Sequence, residues 1–377
     1  MTTKQVERLT EQIGNERVGE RNEDVAAFAE LPLAEKHQSP IGVVSPKVAV
    51  VMVDGGRLQI RERGADARAA DEEVPTGRER GKHWREDKAA LLLTVESEVL
   101  AHDPCPEIPS TFVDPTRILK LAREIHAVSA GQDGVTEPEE QAPDATSDEH
   151  AEYEPPVIIS RQVVASRQRW PDFALVVAQA ARAAGMLGAG RHAFVGDGSD
   201  NNWSIRRRFF GSWTEIIDFI HALSYVFAAA TAGRKFAEGW PVYARWITML
   251  WQGQPESVIA ELAQRQADLG VPESSDGETS PRRLVAEALT YLQNHKDKMR
   301  YDEYRQQGLP ITSSHMESLM KQINQRVKGT EKFWCEQGAE AVLQLRGDVL
   351  SDDRPLDAFW ERREASQSGQ RPYRRAA

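Results

Sequence analysis

Six consecutive apolar residues, Val48-Ala49-Val50-Val51-Met52-Val53, run directly into Asp54 and then Gly55 and Gly56. A run this short and this rich in valine reads as a β-strand, with the acid at its end. A second short run, Ala193-Phe194-Val195-Gly196, ends the same way at Asp197, followed by Gly198. A third acid, Glu317, lies on a strongly periodic segment over 313–327, where Met316, Leu319, Met320, Ile323 and Val327 fall at the spacing of a helix core face. Two strand-end aspartates and a late helical glutamate constrain the chain to an α/β fold that offers acids from separate elements.

Local chemistry fills in the rest of the order. Asp54-Gly55-Gly56 predicts a hairpin between the first strand and the alternating run over 57–63, with Leu58 and Ile60 on one face. Residues 89–95 read as a third strand. The spacing predicts helices over 4–31 and 115–127, and a mainly helical stretch over 158–187. A further strand is expected over 213–219 and a helix over 221–236. Residues 239–269 and 282–300 read as helical and carry neither metal-binding words nor β runs.

The chain has 377 residues, with 47 Lys and Arg against 58 Asp and Glu, a formal charge of −11. That balance is awkward for a nucleic-acid binder, but the acid is concentrated. Residues 132–154 contain acids and no Lys or Arg, and with their prolines and small polar residues they read as a disordered loop. Basic clusters stand at Arg206-Arg207-Arg208, across 321–332 and across 371–375. The two cysteines, Cys105 and Cys335, lack zinc-ligand spacing and read as reduced thiols. No secretion signal or membrane span is legible, so the expectation is a cytoplasmic, nucleoid-associated protein with no membrane partner.

More specific are the words around the acids. They run Val53-Asp54-Gly55-Gly56-Arg57, Trp84-Arg85-Glu86-Asp87-Lys88, Gly196-Asp197-Gly198 with Trp203, and Ile217-Asp218-Phe219-Ile220-His221-Ala222. Last come Gly308-Leu309-Pro310-Ile311 before Glu317-Ser318-Leu319-Met320-Lys321-Gln322-Ile323-Asn324, and the stretch from Arg326 through Lys328 and Lys332 to Trp334. In this order, over residues 47–364, the series resembles bacterial insertion-sequence transposases of the DDE class, the Kra-type group related to Mutator-like elements. The resemblance implies a ribonuclease H-like mixed sheet flanked by helices, with an all-helical insertion before the last catalytic helix. It also implies metal-dependent DNA strand cleavage and strand transfer. Asp54, Asp197 and Glu317 are the implied ligands of two Mg²⁺ ions, with Mn²⁺ as a substitute, Asp54 bridging both. The partners implied are double-stranded DNA, at transposon ends and target, and a second copy of the chain on that DNA.

Each of these residues also has a plainer reading. Asp54 and Asp197 sit in good turn chemistry. Glu317, Lys321, Asn324 and Lys328 line one helix face, either as a solvated stripe or as an acid followed by a DNA-gripping edge. With Arg326, Lys332, Arg206 and Arg207 they form the expected DNA contacts. Asp218 and His221 are either a helix cap with a packed histidine or accessory residues that position the scissile phosphate. Trp84, Glu86 and Lys88 read as an anchor beside the sheet, with Lys88 as a phosphate contact the alternative.

The expected organisation is a helical remnant or linker at 1–46, a catalytic domain at 47–130 and 157–236 split by an acidic loop at 131–156, a helical insertion at 237–305, a catalytic helix region at 306–364, and a basic tail at 365–377. Residues 1–46 are too few and too polar for a convincing helix-turn-helix, so the chain is expected to be N-terminally shortened relative to its family. The alternatives are a non-catalytic DNA-binding or regulatory remnant and a ribonuclease H-like nuclease.

Overall fold

The computed structural model describes residues 2–60, 84–125, 156–329 and 333–366. Helices α1 (Thr3–Glu30) and α2 (Leu33–Lys36) precede strands β1 (Val48–Gln59) and β2 (Trp84–Glu96). Then follow α3 (Pro115–Ile125), β3 (Val157–Ser166), α4 (Trp170–Ala183), β4 (Arg191–Gly196), α5 (Asp200–Phe209), β5 (Thr214–Ile217) and α6 (Phe219–Thr231). The remaining elements are helices: α7 (Phe236–Trp251), α8 (Pro255–Leu269), α9 (Pro281–His295), α10 (Tyr301–Gln306), α11 (Ser314–Val327), α12 (Glu336–Leu350) and α13 (Pro355–Ser366).

The strands form one open mixed sheet in the order β3-β2-β1-β4-β5. β1 is antiparallel to β2, and β2 to β3, whereas β1 runs parallel to β4, and β4 to β5. The fold is therefore α/β, and the sheet is compatible with a ribonuclease H-like arrangement. β1 is the central strand, which explains its unbroken apolar run: Val48 to Val53 are each at most 3% exposed, because both faces are covered.

Two sequence expectations are corrected. Asp54-Gly55-Gly56 makes no hairpin. β1 continues through it to Gln59, and its partner is β2, with Asp54 opposite Ala89 and Gly56 opposite Asp87. The glycines serve close approach rather than a turn. A Cβ on Gly56 would stand 2.7 Å from Met320 Cε and 3.0 Å from each Asp87 carboxylate oxygen, whereas a Cβ on Gly55 would face Trp170 at 3.8 Å. Successive residues of a strand point to opposite faces, so α11 covers one face of β1 here and the start of α4 the other. Of the expected run over 57–63, residues 57–59 belong to β1, Ile60 bridges to Trp334, and the rest lies outside the described residues.

The second correction concerns 158–187. Its first third is β3, and helix begins only at Trp170. The β-branched run Val157-Ile158-Ile159 and Val163-Val164 suits an extended edge strand. Its outer backbone is satisfied from far along the chain: Ser351 Oγ accepts from Val163 N at 2.8 Å, the Asp352 carboxylate accepts from Arg161 N at 2.9 Å, and Asp352 N donates to Arg161 O at 2.8 Å. Covering the edge in this way removes a template for pairing with another chain.

Residues 3–30 form a long helix with a Thr2/Gln5 capping box. It is docked on α12: Gly14 lies so close to Ala341 that a Cβ would stand 2.6 Å from the Ala341 carbonyl oxygen, Arg17 bonds Asp348 at 2.9 Å, and Arg21 pairs with Glu340 at 3.0 Å. The acidic stretch, apart from residue 156, lies outside the described residues, as do Lys332 and the basic run 371–375. Both cysteines are free. No helix among the described residues is long and apolar enough to cross a membrane.

Candidate functional site at the strand ends

The parallel register of β1 and β4 pairs Met52 with Val195. Asp54 and Asp197 each lie two residues further on, so the two acids stand at neighbouring strand positions. β5 ends beside them, because Asp218 N donates to Gly196 O at 2.9 Å. Asp197 and Asp218 thus follow the carboxyl ends of β4 and β5, and Asp54 lies on β1 just past its pairing with β4, so the three acids gather on the side of the sheet where sites form in open α/β folds.

Burial pushes the Asp54 carboxyl upward; the Gly55 N–H, donating to Asp54 Oδ1 at 2.7 Å, opposes this, and the charge of Asp197 adds to the rise. Asp197 Oδ1 accepts from Ser199 N at 2.9 Å and from Asn202 Nδ2 at 2.8 Å. Asn202 Nδ2 also donates to Val53 O at 3.0 Å, so one buried amide ties the end of β1 to the end of β4. Ser199 caps α5 and fixes the turn that presents Asn202. From α9, Tyr291 O–H donates to Asp197 O at 2.8 Å. Gly198 between them has φ +101°, and a Cβ there would lie 2.8 Å from the Tyr291 ring.

Asp218 does more than cap α6. Its Oδ1 accepts from Ile220 N at 3.2 Å and Ser313 N at 2.9 Å, and its Oδ2 from Ser313 Oγ at 2.7 Å. The same Oδ2 faces His221 Nδ1 at 2.7 Å. This fully buried carboxylate therefore joins the starts of α6 and α11, and its own pKa is lowered: burial works upward, but His221 and Ser313 outweigh it. For His221, burial works downward and is outweighed by Asp218, with Asp197 and Asp54 adding to the rise, so the imidazole is pushed up to about 9 and is a cation at neutral pH. The Asp-x-x-His word is thus both a cap and part of the charged centre.

Glu317 occupies the first turn of α11 and is half-buried. Its helix crosses β1 at Gly56, two residues beyond Asp54 and on the same face of the strand. Among the described residues, no three His, Cys, Asp or Glu side chains stand together so as to hold a metal ion. The fold brings Asp54 and Asp197 into mutual electrostatic reach and carries Glu317 to the same face of the sheet, short of a closed three-acid cluster. On α11, Lys321, Arg326 and Lys328 are exposed and Asn324 is half-buried; Lys328 Nζ lies 5.5 Å from the centre of the Trp84 ring. Arg206 is turned inward, pairing with Glu215 at 3.2 Å and donating to Trp213 O at 2.6 Å, while Arg207 is exposed.

Three residues of this site escaped the sequence reading. Asn202 and Tyr291 hold Asp197. Asp87 is 1% exposed, neither carboxylate oxygen has a hydrogen-bond partner, and it lies over Gly56 on the α11 side. Burial raises its pKa to about 6, with its own backbone N–H and then Lys88 and Lys328 pulling the other way and Asp54 adding to the rise. The available signals were the Asn one turn into a Ser-capped helix and the Asp inside the Trp84–Lys88 word. No family model matches this chain, and no curated protein matches it.

Proposed function

We propose that this chain performs divalent-cation-dependent cleavage and strand transfer of DNA phosphodiesters, as a DDE transposase core built on a ribonuclease H-like sheet, with α7 to α10 as its helical insertion. The observation that carries this reading is the parallel β1–β4 register, which sets Asp54 and Asp197 side by side just past the paired part of the two adjacent strands.

The donor set fits a hard cation. Burial and the neighbouring charge of Asp197 raise the proton affinity of Asp54, and a cation between the two carboxylates would reverse that cost. Asp54 and Asp197 would hold it, with Glu317 supplied from α11. When bound, Mg²⁺ supplies the charge that activates the attacking oxygen and stabilises the leaving one. The chain's own residues do the positioning. Asn202 keeps the two strand ends in register. Tyr291 fixes the Asp197 backbone. Protonated His221, anchored on Asp218, puts a positive charge beside a site that must accept a polyanion. Two DNA ends require two copies of the chain.

The test is nicking and strand transfer by the purified full chain on plasmid DNA carrying the element's ends, with Mg²⁺ or Mn²⁺. Asp54→Asn and Asp197→Asn are each expected to lower the rate roughly a thousand-fold, the scale of losing a charge-stabilising group in the transition state. Full activity in Asp54→Asn would remove that residue from the chemistry. DNA binding with no cleavage under any divalent ion would leave a non-catalytic remnant as the better description.

A further inference from the structure

On the face of the sheet away from α11, an open pocket of about 680 Å³ lies between β2, the β3–α4 turn and α5. Five of its lining residues are cations: Arg85 and Lys88 from β2, Arg167 and Arg169 from the turn, and Arg208 from α5. One carboxylate, Glu86, lines it with them, in a chain whose formal charge is −11. Glu86 is already engaged, accepting from Trp170 Nε1 at 3.1 Å and pairing with Lys88 at 3.1 Å. Lys88 is held over the Trp170 ring, 5.1 Å from its centre. Arg208 donates to the Pro171 carbonyl at 3.3 Å, which orients the guanidinium without cancelling its charge. Arg167 is paired with Glu336 at 3.7 Å, so the exposed Arg169 and Arg208 carry the positive charge that makes the pocket attractive to an anion.

The pocket adjoins the strand-end site. Gly55, the residue after Asp54, has Glu86 and Trp170 as its nearest side chains on this face. Asn201 lines the pocket, while the next residue, Asn202, bonds Asp197. Asp54 itself points to the α11 face, so the link between pocket and strand-end site runs through α5, where the consecutive residues Asn201 and Asn202 serve the one and the other.

We propose that this pocket binds the phosphodiester backbone of the DNA strand flanking the reacting phosphate, with Arg169 and Arg208 as its exposed contacts. The inference rests on the reading of the chain as acting on DNA. Arginine suits the role because its planar fork matches phosphate oxygens.

The test uses the full chain in EDTA, so that binding is separated from cleavage, with a fluorescein-labelled duplex followed by anisotropy across a KCl series. Arg169 and Arg208 are both exposed, so the double variant Arg169→Gln/Arg208→Gln should fold, as a thermal melt would verify. Its Kd is expected to rise about ten-fold at low salt, and the slope of log K against log salt to shrink by about 2, near 0.9 per lost phosphate contact. Lys47→Gln, at the opposite end of β1, should leave both unchanged. An unaltered slope in the double variant overturns the proposal. So does equal, equally salt-sensitive capture of a labelled poly-glutamate, which would make the pocket a site for acidic protein. Failure here with wild-type cleavage intact leaves the transposase reading standing; retained, pocket-dependent binding without cleavage does the reverse.

Discussion

Beyond Val53, the two faces of β1 and β2 do opposite things. Toward α11, Asp87 is buried with no hydrogen-bond partner, pressed against Gly56 and Met320, two strand positions from Asp54. Toward α4, Glu86 and Lys88 are paired with each other and with Trp170, and arginines surround them. One strand word, Trp84-Arg85-Glu86-Asp87-Lys88, feeds both faces. On the α4 face Glu86 has both its partners and lies half exposed, so that face can tolerate change, because water and neighbours replace what is lost. The acid face is frustrated, because it carries buried charge that the chain itself does not satisfy. Such frustration persists at sites kept for something other than stability.

The sharpest way to break the comparison is to add one side chain to each face. Gly56→Val would force β-branched carbons into Met320 and the Asp87 carboxylate, and we expect a loss of about 3 kcal/mol, the upper range for overpacking. Gly55→Ala meets only ordinary contacts, 3.7 Å or more away, and should be neutral or gain a few tenths of a kcal/mol by removing glycine entropy. Urea denaturation of both variants decides it; equal losses would mean that the two faces are packed alike.

Next in size is Asp87→Asn. Asp87 ionises near 3.8 in the unfolded chain and near 6 in the folded one. Between those values the unfolded chain has released a proton that the folded chain still holds, so stability falls as pH rises through this window and stays reduced above it. The full difference is on the order of 3 kcal/mol. Asparagine does not titrate, so in EDTA the variant's stability relative to wild type should improve by that amount between pH 4 and pH 7. Parallel pH curves would show that Asp87 has found a cation, with Lys88 and Lys328 the charges that already act on it.

The elements that the sequence revealed are those whose cause is local. The start of β1, the end of β4 and both ends of α11 follow from apolar runs and core spacing to within a residue or two, whereas β1 runs on past Asp54 to Gln59. What stayed hidden depends on contacts across the chain. Gly55-Gly56 read as a turn because turn propensity is local, whereas the reason for Gly56 is Met320, far away in sequence. β3 read as helix because its edge is completed by Ser351 and Asp352 rather than by a neighbouring run of its own. Tyr291 stands on a helix, where an aromatic is ordinarily a packed core residue. It is one, stacked on Tyr225 with ring centres 3.9 Å apart, yet its hydroxyl also reaches Asp197. Burial patterns predict the first role and say nothing of the second.

The smallest expected effect probes the tolerant face. Trp170→Phe keeps a ring under Lys88 but removes the indole N–H that Glu86 accepts. Glu86 is half exposed and keeps Lys88 at 3.1 Å, so water takes the vacated position and the loss should be about 1 kcal/mol, the net worth of one hydrogen bond. Because the ring carries no formal charge, the salt slope of DNA binding should not move, in contrast to Arg169→Gln/Arg208→Gln. A loss near 3 kcal/mol would instead mean that buried Lys88, at 2% exposure, depends on the full indole for its place in the fold. The two faces would then be equally strained, and the asymmetry drawn between them would disappear.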